Sequence, residues 1–453
     1  MSKRIGVVLL SFLLIFSGLL LGTTEAKPEW AGKQHQQERT QLDKNNNGKV
    51  KNVIYMIPDG FNADYATNYR WYKGDDAVWD EHLKGMFKTY SANSRVTDSA
   101  AAGTAMATGV KTNNGVVGLD KDGNKVETIL EASKKEGKST GLVATSTITH
   151  ATPAVFAAHV ESRNNQAVIA KQYIANDVDV LLGGGKDYFT LESDGGKQKD
   201  DHLIEQAKDK GYTFIETRQE LKAINNKDKK VLGLFANDAL APELHRDLTE
   251  EPSLAEMTTA AIDVLSQNKD GFFLMVEGSQ IDWAGHAHDA AWAMSDVEAF
   301  EKAVEVAIEY AKRDGKTLVV IGGDHETGGM TVGANGVYDV EPEILKEVTA
   351  TGNFMAQELN QQRSNIREVI EKYTPFTLSD EEVQVIKDSK NPANEINDIL
   401  SDKVLIGWTS GAHTGVDIPV YAYGPQSERF VGLLENTDLP IIMAEVMKIE
   451  LNN

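Results

Sequence analysis

The sequence predicts an α/β fold, a mostly parallel sheet covered by helices on both faces. Short β-branched runs alternate with helical patterns along most of the chain, as parallel strands joined by crossover helices require. Several of these runs end directly in clusters of Asp, Glu, His and Gly, at the carboxyl ends where open α/β sheets place their ligands. The composition agrees: 41% hydrophobic and 25% charged residues over 453 positions, without a proline-rich or glycine-serine-rich tract, describe a globular chain able to bury a core.

Residues 1–26 read as a Sec-type signal peptide, with Lys3 and Arg4, an apolar run over 5–21, and Thr24-Glu25-Ala26 before the cleavage point. Cleavage after Ala26 makes the protein secreted, or a component of the cell envelope. An uncleaved anchor is the alternative, because the apolar run lies at the edge of spanning length; no stable membrane span is expected. Residues 27–50 lack periodicity and read as a flexible leader or propeptide. Asp43-Lys44-Asn45-Asn46-Asn47-Gly48 mimics the start of a calcium loop, but Ile54 stands where a bidentate glutamate is needed, so a turn is predicted.

Residues 51–453 read as one domain. Candidate strands are 53–57, 141–145, 178–182, 272–276, 317–321 and 419–422. Between the fourth and fifth, Ser295-x-x-Glu298 reads as a capping box, Val297, Phe300, Val304, Ile308 and Ala311 mark one helix face, and Gly315 stops the helix. Residues 126–136, ended by Gly137, repeat the pattern before the second strand. Residues from about 331 to about 404 are polar, look helical around 342–347 and 365–373, and read as an insertion capping the sheet.

Sixty-eight acidic against 46 basic residues give a formal charge of −22, which repels nucleic acid and anionic lipid. No nucleic acid is expected as a specific partner, and a site handling anions needs local cations. With no cysteine there is no disulfide and no thiolate ligand, so any metal is held by His, Asp, Glu or hydroxyl groups.

The chemistry concentrates at strand ends. Asp59-Gly60 follows the first strand, Glu277-Gly278-Ser279-Gln280-Ile281-Asp282 the fourth, and Gly322-Gly323-Asp324-His325-Glu326-Thr327-Gly328-Gly329 the fifth. Asp282-x-x-x-His286 offers a carboxylate and an imidazole to one divalent ion, Asp324-His325 adds an adjacent pair, and His413 sits between small residues. Singly, such pairs are more often turns or surface pairs than ligands; their joint placement argues for one crevice. Ser99 precedes a run of small residues and reads either as a hydroxyl at an anion-binding helix N-terminus or as a plain cap. Arg163 offers a fork that matches two phosphate oxygens, or else a surface ion pair.

Thr97-Asp98-Ser99-Ala100-Ala101, Ala151-Thr152-Pro153-Ala154, Glu277-Gly278, Asp282-x-x-x-His286, Asp324-His325 and Gly411-x-His413 together resemble the motifs of the bacterial, secreted alkaline phosphatases, in the family's order, over residues 52 to about 435. The resemblance implies a three-layer sandwich around a large, mostly parallel sheet with a crown-like insertion. It implies hydrolysis of small phosphate monoesters through a phosphoserine at Ser99, with Arg163 as the phosphate clamp. It also implies two zinc ions and one magnesium ion. Asp282, His286 and His413 resemble the ligands of the first zinc; Asp59, Asp324 and His325 those of the second; and Asp59, Thr152 and Glu277 those of magnesium. His150 stands where some members have an aspartate, and Trp283 where some have a lysine, so magnesium is expected to be held loosely or replaced by zinc, and phosphate to be released faster. His288 is given no ligand role. A phosphodiesterase or sulfatase of the same superfamily and a non-catalytic metal- or phosphate-binding protein are the alternatives; the sulfatase C/S-x-P-x-R pattern does not surround Ser99. Monomer and homodimer are both left open.

Overall fold

A computed structural model describes residues 48–225 and 227–453. The signal peptide, nearly all of the leader and all but the last residue of the calcium-loop mimic fall on residues 1–47, outside the described residues; within the remainder of the leader, Val50 is buried. The strands are β1 (Asn52–Pro58), β2 (Leu83–Lys88), β3 (Ser139–Thr147), β4 (Val180–Gly184), β5 (Thr213–Ile215), β6 (Val231–Leu234), β7 (Phe272–Gly278), β8 (Thr317–Ile321), β9 (Glu326–Thr327), β10 (Thr331–Val332), β11 (Ile406–Gly407), β12 (His413–Thr414), β13 (Ile418–Tyr423) and β14 (Gly432–Glu435). Ten of them form one sheet in the order β14-β2-β13-β8-β1-β7-β3-β4-β6-β5. Within it β13 runs antiparallel to both neighbours, and the other pairings are parallel.

Every residue of β1 and β7 is buried, as the apolar runs over 53–57 and 272–276 demand of central parallel strands. Successive side chains nonetheless go to opposite faces. Val53, Tyr55, Ile57, Phe273 and Met275 join one hydrophobic cluster, while Ile54, Met56, Leu274 and Val276 join another. The sheet is therefore the middle of three layers, each face dry, and full burial of a large apolar side chain contributes roughly 1.5–3 kcal/mol.

Register sets where the chemistry falls. Ile57 lies opposite Glu277, Ala144 opposite Glu277, and Met56 opposite Ile321. The carboxyl ends of β1, β3, β7 and β8 are thus level, and the polar segments that follow them emerge on one rim.

The long helix after β7 runs over Ala290–Asp314 and ends at Gly315, which adopts φ 66. Its start corrects the capping-box reading: Asp289, not a residue at 295, caps it by accepting from Trp292 N, and Ser295 lies inside, its hydroxyl donating to Trp292 O at 2.9 Å. The apolar run Ala290–Met294 extends the helix because it packs in the core. The helix before β3 spans Ile129–Lys135, with a capping box between Thr128 and Glu131.

Thr331 pairs with Gly407 and Val332 with Ile406, so β10 and β11 close the base of the excursion between them. That excursion carries the helices Gly352–Gln357, Ile366–Tyr373, Asp380–Asp388 and Pro392–Lys403 and the 3-10 turn Pro342–Glu347. It has a hydrophobic cluster of its own, with Ala350, Met355, Ile366, Val369, Ile370 and Ile396 among the buried members. Among the described residues no helix is long and apolar enough to cross a membrane.

Candidate active site and metal centre

Ser99 opens the helix Ser99–Thr108, whose ten residues are all buried. Small side chains permit this: a Cβ on Gly103 would meet Val155 Cγ2 at 2.8 Å, so only glycine lets the neighbouring helix Ala151–Ala157 approach. Asp98 caps the helix by accepting from Ala101 N at 3.0 Å, and its second oxygen accepts from Gly115 N and from Arg163 Nη1, both at 3.0 Å. Ser99 Oγ lies at the helix N-terminus, 3.2 Å from His325 Nε2.

Three groups of acidic and imidazole side chains surround it. In the first, His286 Nδ1 lies 2.9 Å from Gly411 O, and His413 Nδ1 lies 2.9 Å from Thr97 O. Carbonyl oxygens only accept, so both rings donate from Nδ1 and leave Nε2 as an acceptor. Those two Nε2 atoms face each other at 3.1 Å, and each is 3.5 Å from Asp282 Oδ1. Converging lone pairs of this kind fit a cation held by nitrogen and oxygen, the donor set that suits zinc.

The second group joins Asp59, Asp324 and His325, all buried. His325 Nε2 is 3.1 Å from Asp324 Oδ2 and 3.7 Å from Asp59 Oδ1. Burial opposes charge on both partners of the Asp324–His325 pair, yet their mutual attraction holds the carboxyl below its usual range and the imidazole above its own. The two groups touch. The His325 and His413 rings stack at 3.6 Å, and Asp282 joins both within one set of mutually close donors. Burial, then the charge on His325, pushes His413 down to about 4.

The third group is Asp59, Glu277 and His150. Thr152 donates to Asp59 Oδ2 at 3.1 Å, so all three side chains that the resemblance implied for magnesium lie together. Asp59 Oδ1 and Glu277 Oε1 are buried without a hydrogen-bond donor among the described residues. Burial, reinforced by Asp324, Asp282 and Glu277, raises Asp59 well above the carboxylate range, and burial lifts Glu277 to about 7. Orphaned buried carboxylate oxygens beside a hydroxyl fit an oxygen-liking divalent ion. His150 extends what the sequence implied here. Its Nε2 accepts from Arg163 Nη2 at 3.1 Å, its Nδ1 has no partner among the described residues, and Trp283 stands edge-on to its ring at 5.7 Å. Burial and the adjacent guanidinium hold His150 down at about 4.

All ten residues singled out from the sequence therefore lie in one crevice on the strand-end rim. His288 lies apart from the three groups. It adopts φ 55, pairs with Asp398 at 2.9 Å and with Ser410 O at 3.0 Å, and stacks on Trp408, tying the segment after His286 to the helix Pro392–Lys403. The sequence reading missed Asp98 as the anchor of Arg163, and it missed Thr327. The cap position before Ser99 carried a signal for the first; nothing in the spacing marked the second.

A model of the family described as "Alkaline phosphatase" matches residues 50–449. The chain belongs to the alkaline phosphatase family. It is 44% identical over 442 residues to alkaline phosphatase 4 of Bacillus subtilis, an alignment covering 92% of this chain and 94% of that one. The cold-active alkaline phosphatase of a psychrophilic Shewanella superposes with a TM-score of 0.80 at 35% identity, covering 87% of this chain and 99% of that one. A histidine-to-aspartate mutant of the alkaline phosphatase from the Antarctic bacterium TAB5 matches with a TM-score of 0.69 at 31% identity, covering 89% and 99%. The chain is accordingly an enzyme, a metal-dependent phosphoric monoester hydrolase, and its ten-stranded, mostly parallel sheet flanked by helices is that of the alkaline phosphatases.

Proposed function

We propose that this alkaline phosphatase is exported after cleavage behind Ala26 and hydrolyses small phosphate monoesters through a phosphoserine at Ser99. The observation that carries the reading is the buried Ser99 hydroxyl at a helix N-terminus, 3.2 Å from an imidazole nitrogen that two buried carboxylates also face. Asp282, His286 and His413 would hold one zinc ion, and Asp59, Asp324 and His325 a second. Asp59, Thr152 and Glu277 would hold magnesium. Bound there, such ions acidify a hydroxyl or water and offset charge on a departing alkoxide.

The chain's own groups do the rest. Ser99 Oγ releases its proton to solvent, attacks phosphorus in line, and forms the O–P bond as the bond to the ester oxygen breaks. The alkoxide leaves with that electron pair and takes up a proton from solvent to become the alcohol. Water then attacks phosphorus from the vacated side, the bond between the Ser99 oxygen and phosphorus breaks, a proton released by the water returns to that oxygen, and inorganic phosphate departs. Backbone N–H groups of the first helical turn and Arg163 stabilise the nonbridging oxygens. Asp98 and His150 hold the guanidinium ready. Turnover of an aryl phosphate, beside elemental analysis of the purified protein and N-terminal sequencing of the exported form, tests the whole reading; an exported form still carrying residues 1–26, or a metal content without zinc, would sink the corresponding part.

Arg163→Ala is expected to retain measurable turnover and to weaken phosphate inhibition by about 1.5–3 kcal/mol, the worth of a charge-assisted hydrogen-bonding group. An unchanged inhibition constant would remove Arg163 from the site.

The third site is expected to hold magnesium loosely, because an imidazole organises the waters of an octahedral oxygen shell less well than a carboxylate does. The TAB5 histidine-to-aspartate mutant was solved with magnesium in its M3 site. His150→Asp here is expected to tighten magnesium severalfold in a titration of metal-depleted enzyme, at the cost of the His150–Arg163 hydrogen bond. Equal magnesium affinity in both proteins would show that the imidazole is not what weakens the site.

A further inference from the structure

Thr327 is completely buried and touches the ligand set of both proposed zinc sites at once. Its hydroxyl donates a hydrogen bond to Asp282 Oδ1. The same oxygen lies 3.3 Å from His325 Nδ1. In the β9–β12 ladder Thr327 pairs with His413. Its backbone is fixed as well: Tyr65 Oη donates to its carbonyl at 2.6 Å, and its own N–H donates to Gly60 O at 3.1 Å. Two glycines let the neighbouring backbone pack closely against it. A Cβ on Gly60 would meet Thr327 Oγ1 at 2.9 Å, and one on Gly285 would meet Thr327 O at 2.8 Å.

A hydroxyl has one proton to give. With that proton committed to Asp282, the oxygen can only accept from His325, so the ring must carry its proton on Nδ1. The Nε2 lone pair is then directed at the side where Ser99, Asp59 and Asp324 lie. We propose that Thr327 is a positioning residue that couples the two zinc sites through the chain His325 Nδ1–H, Thr327 Oγ1–H, Asp282 Oδ1, so that ordering the ligands of one site selects the ligand tautomer of the other. The proposal rests on the ligand assignment made above. An ion that orders Asp282 also orders the hydroxyl that accepts from His325, so part of the ordering cost of the second site is already met when its ion arrives. The two ions should therefore bind with positive cooperativity.

The test is a cobalt(II) titration of the metal-depleted full-length protein, read by visible absorption, for wild type, Thr327→Val and Thr327→Ser. Wild type and Thr327→Ser should fill both sites cooperatively, whereas Thr327→Val, which keeps the shape and loses the hydroxyl, should bind about 10–100-fold more weakly at both sites and lose the cooperativity. Nitrogen NMR of the zinc-loaded protein should show His325 with a slowly exchanging Nδ1 proton only when residue 327 carries a hydroxyl. If Thr327→Val binds like wild type, or Thr327→Ser is as impaired as the valine variant, the proposal falls while the ligand assignment stands. If wild type takes up no cobalt, the ligand assignment falls and this inference with it. Should circular dichroism find Thr327→Val unfolded, Thr327→Ala against Thr327→Ser decides by the same criteria.

Discussion

Ser99→Ala is expected to lower kcat/KM for an aryl phosphate by on the order of 10³-fold or more while leaving bound metal unchanged. Ser99 Oγ is the hydroxyl at the N-terminus of a wholly buried helix and lies 3.2 Å from His325 Nε2. Removing it deletes the atom that forms the bond to phosphorus, yet Asp59, Asp324 and His325 still face one another. The helix is capped by Asp98, so its start survives the substitution. Acid quenching with labelled phosphate should trap the label on Ser99 in wild type and nowhere in the mutant. Label on another residue, or turnover by the alanine variant at the wild-type rate, would remove the serine from the mechanism.

Stripping the protein with a chelator is expected to abolish turnover and to lower Tm, with both restored by zinc and magnesium. Asp59, Glu277, Asp282 and Asp324 are each at most 4% exposed, so their negative charges crowd a space that water does not screen. His286 and His413 add two acceptor nitrogens at 3.1 Å. An ion bound only by the folded state adds RT ln(1 + [L]/Kd), about 4 kcal/mol at a thousandfold excess over Kd. Calorimetric scans of the stripped and reloaded enzyme measure this directly. A stripped enzyme with unchanged Tm and full activity would show that these carboxylates are structural.

The central sheet was legible because β1, β3, β4, β7, β8 and β13 carry apolar runs of aliphatic and aromatic residues long enough to announce themselves. β2 was not: Leu83–Lys88 is a strand near the sheet edge with a mixed pattern of exposed and half-buried residues and a glycine, so neither alternation nor a continuous run marks it. β6 has only four residues and β5 three, too few to show a period. The helix Ala290–Asp314 was recognised by its buried stripe but entered too late, since an alanine-rich first turn buried on every side has no periodicity. The core of the insertion escaped notice because its apolar residues are shared out among short helices, few in any one window.

The metal-site residues were legible for a physical reason. Each lies just past the end of a recognisable strand or in a motif of fixed spacing, so sheet register alone brings Asp59, Glu277 and Asp324 together. Thr327 and His150 depend instead on how the chain folds back. β9 is two residues long and pairs with β12 from the far side of the insertion, and His150 meets Arg163 through a loop that β-bridges Val117 to Val160. Neither contact is encoded in local sequence.

The excursion between β10 and β11 leaves and rejoins the body on a single two-residue ladder, and its buried side chains pack largely among themselves. Lengthening such an excursion strains nothing beneath it: each doubling of a closed loop adds only about 0.6 kcal/mol of closure entropy. Its last helix meanwhile reaches Ala287 and His288, next to the crevice, through Asn397, Asp398 and Ser401. The excursion can therefore change in length without disturbing the sheet, whereas a shift of its last helix would be felt at once by the segment that carries His286.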